Sequence, residues 1–88
     1  MKHVNIIVQG IVQGVGFRFS ARHMANSLGV KGFVKNLPNG EVYLEAEGNE
    51  AQVNEFVKWC KKGPSSARVR NAEVHEGEYK GYRVFDVK

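Results

Sequence analysis

Apolar and polar residues alternate from His3 to Gln9, with Val4, Ile6 and Val8 on one parity and Asn5, Ile7 and Gln9 on the other. A period of two marks a half-buried strand whose Val4, Ile6 and Val8 turn toward a core. From Phe17 the period lengthens. Phe17, Ala21, Met24, Ala25 and Leu28 recur at i, i+4, i+7, i+8 and i+11, the stripe of an amphipathic helix, and Gly29 supplies its C-terminal stop. Arg22, His23, Asn26 and Ser27 fall on the solvated side of that helix. Val30 to Leu37 reads as a second strand, and Pro38-Asn39-Gly40 is a turn. Glu41 to Glu47 then alternates with Val42, Leu44 and Ala46 inward and Tyr43, Glu45 and Glu47 outward, so that the pair forms a hairpin whose glutamates line a solvated face. A second helix starts at Asn49, which caps it, buries Val53, Phe56, Val57 and Cys60, and ends at Lys61-Lys62-Gly63-Pro64. Ser65 to Arg68 is a connector without an apolar anchor. Val69 to His75 and Tyr82 to Val87 read as two more strands, parted by the polar run Glu76 to Gly81.

The order is βαββαβ plus a C-terminal strand. Each helix has one apolar stripe, so both lie on one face of a mostly antiparallel five-stranded sheet. The expected class is an α+β, ferredoxin-like two-layer sandwich. Residues 1–88 make a single domain, because a chain of 88 residues holds one core.

Composition narrows the setting. The net charge of +4 suits a phosphate-bearing ligand, nucleic acid or a merely cationic surface. Cys60 is the single cysteine, so no intrachain disulfide forms, and a reducing, cytoplasmic home is expected. Cys60 itself reads as a small core residue, since nothing near it in sequence would activate a thiol. Asn5, Gln9 and Gln13 interrupt the apolar start and no small-residue cleavage site follows, so no signal peptide and no membrane partner is expected.

Chemistry concentrates where the first strand meets the first helix, at Val12-Gln13-Gly14-Val15-Gly16-Phe17-Arg18. Two glycines one residue apart permit positive φ. Amides at a helix start converge with about half a positive charge, which favours an anion. A cation in the first turn is unfavourable by roughly 0.3–1 kcal/mol unless something negative sits there. Arg18 is therefore the charged wall of an anion cradle. Asn36 reads in two ways: as a turn asparagine bonding its own backbone, or as a second site residue. Strands joined by a βαβ crossover run parallel, which brings the end of the second strand to the edge where the helix starts. Asn36 shares parity with Val34 toward the helix layer, while the aromatic Phe33 on the other parity leaves that orientation open.

Other constellations are missing. His3, His23 and His75 have no metal-ligand spacing, so neither a metal nor a cofactor is expected. The serines lack a base and an orienting acid. Phe19 occupies the third glycine position of a dinucleotide fingerprint, and no Lys-Ser/Thr pair makes a Walker loop.

The run Gly10-Ile11-Val12-Gln13-Gly14-Val15-Gly16-Phe17-Arg18, then Gly32-Phe33-Val34-Lys35-Asn36, then Pro38-Asn39-Gly40 and Val42 closely resembles the acylphosphatases, and the resemblance covers essentially the whole chain. It implies an enzyme that hydrolyses acyl phosphates to carboxylate and inorganic phosphate without a metal, inhibited by phosphate and acting as a monomer. It implies that the amides of Gln13, Gly14, Val15, Gly16, Phe17 and Arg18, with the Arg18 guanidinium, bind the phosphate, and that Asn36 positions the attacking water. Ile11 stands where a basic residue is common and Phe33 where tryptophan is common. The first exchange weakens peripheral anion attraction and the second alters packing.

That chemistry agrees with the residues. An acyl phosphate has a good carboxylate leaving group, so its hydrolysis needs little acid help, and a neutral amide such as Asn36 can orient water but cannot act as a general base. A rival is an RNA-recognition module, which shares the element order. Its aromatic signature belongs on the third strand, where this chain has Tyr43 among Glu41, Glu45 and Glu47, and carboxylates there repel phosphates, so no nucleic-acid partner is expected. A second rival is a regulatory domain of acylphosphatase type, of the kind found inside larger carbamoyl-transfer maturation proteins.

Overall fold

The computed structural model describes residues 1–88, and in it the alternating N-terminal segment is strand β1 (Lys2–Ile11). The helical stripe forms α1 (Phe17–Leu28). The hairpin follows as β2 (Lys31–Asn36) and β3 (Val42–Gly48), then α2 (Glu50–Lys62), β4 (Arg68–Glu76) and the short β5 (Phe85–Val87). The five strands form one sheet in the order β4-β1-β3-β2-β5. All pairs are antiparallel except β2 with β5. Because β1 and β2 both run antiparallel to β3, they are parallel to each other, and Val8 and Asn36 flank the same residue, Val42.

Both helices cover one face. α1 packs on β2 and β5, and α2 on β1, β3 and β4. Val4, Ile6 and Val8 meet Val34, Leu44 and Ala46 beneath Phe17, Ala21, Ala25, Val53, Phe56 and Cys60, all buried. Each large aliphatic or aromatic side chain enclosed there contributes about 1.5–3 kcal/mol. Burial pushes the Cys60 thiol up, as expected of a core cysteine. The helix ends follow local chemistry. Asn49 accepts the Gln52 N–H at 2.8 Å while Gln52 Oε1 accepts the Asn49 N–H at 3.0 Å, a capping box that stops α2 from fraying. Gly29, at φ 77°, donates to the last carbonyls of α1.

The other face departs from the sequence reading. Tyr43, Glu45 and Glu47 do point away from the helices, but Glu45 is only 6 % exposed and Glu47 1 %. The solvated glutamate face does not exist, because residues 77–84 fold back across it as a strap. Glu47 accepts the backbone N–H groups of Lys80, Gly81 and Tyr82 at 2.5, 3.0 and 2.9 Å and faces His3 Nδ1 at 2.6 Å. Glu45 accepts the hydroxyls of Tyr43 and Tyr82 at 2.7 and 2.6 Å. Tyr82 is thereby drawn off the sheet edge, which is why the last strand is Phe85–Val87 and not Tyr82 to Val87. The connector 65–68 is also better anchored than its composition suggests, since Ala67 packs against the core. The face that an RNA-recognition module presents is thus closed by the strap.

Candidate active site

β1 hands the chain to α1 through residues 12–16, and three contacts hold that loop. Val12 is buried in the core. The Gln13 side chain donates to the carbonyls of Leu37 and Glu41 at 2.8 and 2.9 Å, pinning the loop to the β2-β3 turn. The Ser66 hydroxyl donates to the Val15 carbonyl at 2.6 Å from the α2-β4 connector. Gly14 and Gly16 take φ of 74° and 76°. A Cβ at either would meet no atom within 4 Å, so glycine is required by the left-handed backbone and not by crowding.

With the Gln13 side chain and the Val15 carbonyl tied elsewhere, the loop keeps its amides free. No side chain caps α1, and none of the N–H groups of Gln13 to Gly16 donates to an acceptor in the protein. The first amides of the helix are equally unused, because its first bond runs from Ser20 N–H to Gly16 O at 3.1 Å. The first turn contains no acidic residue. Arg18 stands over this row of donors, and its Nη1 donates at 2.8 Å to the main-chain oxygen of Lys88. That residue is itself fixed to β2 by its N–H on Val34 O at 2.8 Å. The guanidinium is held in place by a neighbour and retains donors to offer.

Asn36 arrives from the end of β2. It lines the same small cleft, of about 110 Å³, as Val12, Gly14, Gly16, Phe17, Arg18 and Phe19. Its parity with Val34 therefore points it toward the helix layer. Phe33, on the other parity, packs on Tyr43 and Tyr82 across the outer face beneath the Lys88 ammonium, 4.1 Å from its ring. The turn reading of Asn36 is not the one observed: its Oδ1 is buried and has no hydrogen-bond partner in the protein. Such an atom costs about 1–3 kcal/mol unless something donates to it. The turn is built instead by Asn39, whose Oδ1 accepts the Glu41 N–H at 3.0 Å.

Of the loop residues, Gly14, Gly16, Phe17 and Arg18 line the cleft, while Gln13 and Val15 anchor it by side chain and carbonyl. Three participants escaped the sequence reading. Lys88 holds Arg18 through its backbone, and a main-chain oxygen carries no residue-type signal. Val12 opens the run at the strand-helix junction, but an apolar side chain there carries no signal of a place in the cleft wall. Phe19 had a visible signal: two residues after the inward Phe17, a phenylalanine falls on the outer side of the helix, and it is 60 % exposed. A larger depression of about 460 Å³ lies at the start of β1 and α2, lined by Lys2, Glu50 and Glu76 among others. It is at the opposite end of β1 from the loop, and it contains neither the guanidinium nor the glycine loop.

Electrostatics separate the cleft from the outer face. Burial raises the carboxyl of Glu47, but the Lys80 N–H, the His3 ring and the Tyr82 N–H outweigh it and hold the group below the usual carboxylate range. Glu45 behaves likewise, with burial opposed by the Tyr43 and Tyr82 hydroxyls and by Lys80. Burial first, and then Glu45, push Tyr82 up to about 12. Beside the cleft, Glu41 is held low by the Gln9 and Asn39 amides. Carboxylates are therefore kept ionised on the strap side at Glu45 and Glu47 and beside the cleft at Glu41, whereas none lines the cleft itself.

Fold and cleft together define a ferredoxin-like α+β protein with an amide-lined, arginine-walled cleft at one end of its sheet. The family described as Acylphosphatase matches residues 4–87. An acylphosphatase of Thermotoga maritima is 48 % identical over 88 residues, covering 100 % of this chain and 98 % of that one. The crystal structure of acylphosphatase from Bacillus subtilis superposes with a TM-score of 0.96 at 36 % identity, covering 100 % of this chain and 99 % of the other. Full-length HypF, in a phosphate- and nucleotide-bound form, contains a similar unit: TM-score 0.87, 32 % identity, 99 % of this chain but 12 % of that one. The chain belongs to the acylphosphatase family.

Proposed function

We propose that the chain hydrolyses acyl phosphates at phosphorus, with the cleft at the β1-α1 junction as its active site. The amides of Gln13 to Arg18 and the Arg18 guanidinium hold the phosphoryl oxygens and stabilise the charge that develops on them, the electrostatic role that dominates phosphoryl transfer. The Asn36 side-chain amide orients the attacking water so that its lone pair is aimed at phosphorus. The water oxygen bonds to phosphorus, the bond between phosphorus and the acyl oxygen breaks, and its electron pair leaves on the carboxylate. The water proton passes to a phosphoryl oxygen. The observation that carries this reading is the meeting of the free loop amides, Arg18 and Asn36, an asparagine whose Oδ1 no protein group engages, in one cleft.

We further propose a monomer in a reducing, cytoplasmic setting, supported by a cleft completed within one chain and by a lone buried cysteine. No helix is long and apolar enough to cross a membrane.

The test is release of inorganic phosphate from benzoyl phosphate, with and without a chelator. Turnover is expected in both, with competitive inhibition by inorganic phosphate; absence of turnover overturns the reading. Asn36→Ala should lower kcat while leaving inhibition by phosphate nearly intact. An equal loss of phosphate binding would remove the water-orienting role.

A further inference from the structure

We propose that the apolar groove along the seam between α1 and α2 is the acyl subsite of this cleft and takes the hydrocarbon part of medium-chain acyl phosphates. The inference rests on the hydrolase reading above and adds to it a substrate class. The cleft, at about 110 Å³, encloses a phosphoryl group and little else. The acyl portion must therefore lie outside it, and the structure distinguishes the directions it can take.

Phe19 is the residue that the cleft shares with a groove of about 410 Å³, whose other walls are Ser20, His23, Met24, Trp59 and Pro64. Its ring stands 60 % exposed in the first turn of α1, with the Arg22 guanidinium 5.5 Å from its centroid. An aromatic ring held in water beside an anion site is suited to covering an apolar group attached to that anion. The floor is rigid. Trp59 packs on Phe17, itself a wall of the cleft, at 5.3 Å and on Phe56 at 6.2 Å. From Phe19 to Met24 the helix rises about 7.5 Å, at about 1.5 Å per residue, enough for a hydrocarbon of medium length. Met24 and Trp59 also wall a second depression that continues to Leu28.

Reaction geometry selects the same direction. Attacking and leaving oxygens lie roughly in line on opposite sides of phosphorus. Asn36, which holds the water, enters the cleft from the sheet layer, and Phe19 enters it from the helix layer. With the water on the Asn36 side, in-line departure takes the leaving carboxylate to the other side of phosphorus, the side assigned here to Phe19 and the groove.

The experiment compares acetyl, butanoyl and hexanoyl phosphate, whose carboxylate leaving groups are nearly equal in basicity. For the unmodified chain kcat/KM should rise about twofold per methylene, the share expected when an open groove half-buries each one. Phe19→Ser and Met24→Gln should flatten that slope. Independently of any variant, the emission of Trp59, the one tryptophan of the chain, is titrated with non-hydrolysable 2-oxoalkylphosphonates. A saturable shift that grows with chain length and is absent with inorganic phosphate is expected. Turnover with no chain-length dependence, a slope that survives in both variants, or emission indifferent to chain length overturns the groove and leaves the hydrolase standing. No turnover of any member of the series overturns both.

Discussion

Two irregular segments of this chain gather backbone N–H groups around a place for an anion, and they differ in what fills it. In the strap, Lys80, Gly81 and Tyr82 turn their amides onto the carboxylate of Glu47, with His3 at 2.6 Å on its other side. In the loop between β1 and α1, the amides of Gln13 to Gly16 have no acceptor in the protein, and the neighbouring charge is a cation, Arg18. Both cradles use glycine in the left-handed region, Gly81 at φ 78° in one and Gly14 and Gly16 at 74° and 76° in the other. A nest of amides favours an anion wherever it occurs. The two differ in whether the protein supplies that anion itself.

The comparison can be broken at several points, taken here from the largest expected effect to the smallest. Glu47→Ala strips the strap of its acceptor and leaves three half-buried amides and the Nδ1 of His3 without a partner. It should cost about 3–5 kcal/mol of stability, the range for removing one member of a buried charged network, read from urea or thermal unfolding. Arg18→Ala should instead cost roughly 2.7–4 kcal/mol of transition-state stabilisation, by analogy with loss of an oxyanion donor, in kcat/KM for an acyl phosphate and with little change in unfolding. Arg18→Lys should also be poor, because an ammonium cannot reproduce the planar fork. Gly16→Ala and Gly81→Ala should each lose about 1–2 kcal/mol of stability from left-handed strain. Only Gly16→Ala should also weaken inhibition by phosphate, and equal effects of both on inhibition would erase the distinction drawn here.

The smallest effect is in acid. Glu45 and Glu47 are held below their unfolded values in the native state. Their stabilisation is therefore complete above the unfolded carboxylate range, near pH 4.3, and is lost as pH falls through the lower native values. The urea midpoint should decline from about pH 5 downward, and Glu47→Gln should shallow that decline. The same substitution should leave the pH profile of phosphate inhibition unaltered, since the loop cradle contains no carboxylate.

Much of this was legible in the chain. The periods of two and 3.6 placed β1, β3 and both helices, because each turns one regular apolar face to the core, whereas the last strand begins at Phe85 and not at Tyr82. The two-layer class followed from that pattern together with the element order, since each helix has one apolar stripe to bury against the sheet. Gly14, Gly16 and Arg18 were legible because a positive φ and a cation at a helix start are local demands. The outer face was not. Alternating Tyr43, Glu45 and Glu47 look the same whether they face water or a strap, and residues 77–84 carry no period that would announce where they lie.

By itself, then, the sequence determined the βαββαβ framework with its final strand and the loop with its free amides, through interactions between residues near one another in the chain or repeating along it. Tertiary structure alone decided that Asn36 would face the cleft with its oxygen unpaired and that Lys88 would steady Arg18. It also decided that Glu47 would close the opposite cradle and that Phe19 would join the cleft to a groove. Each of these depends on a partner far along the chain, and the type of a residue does not record which distant backbone oxygen, amide or ring the folded sheet will bring against it.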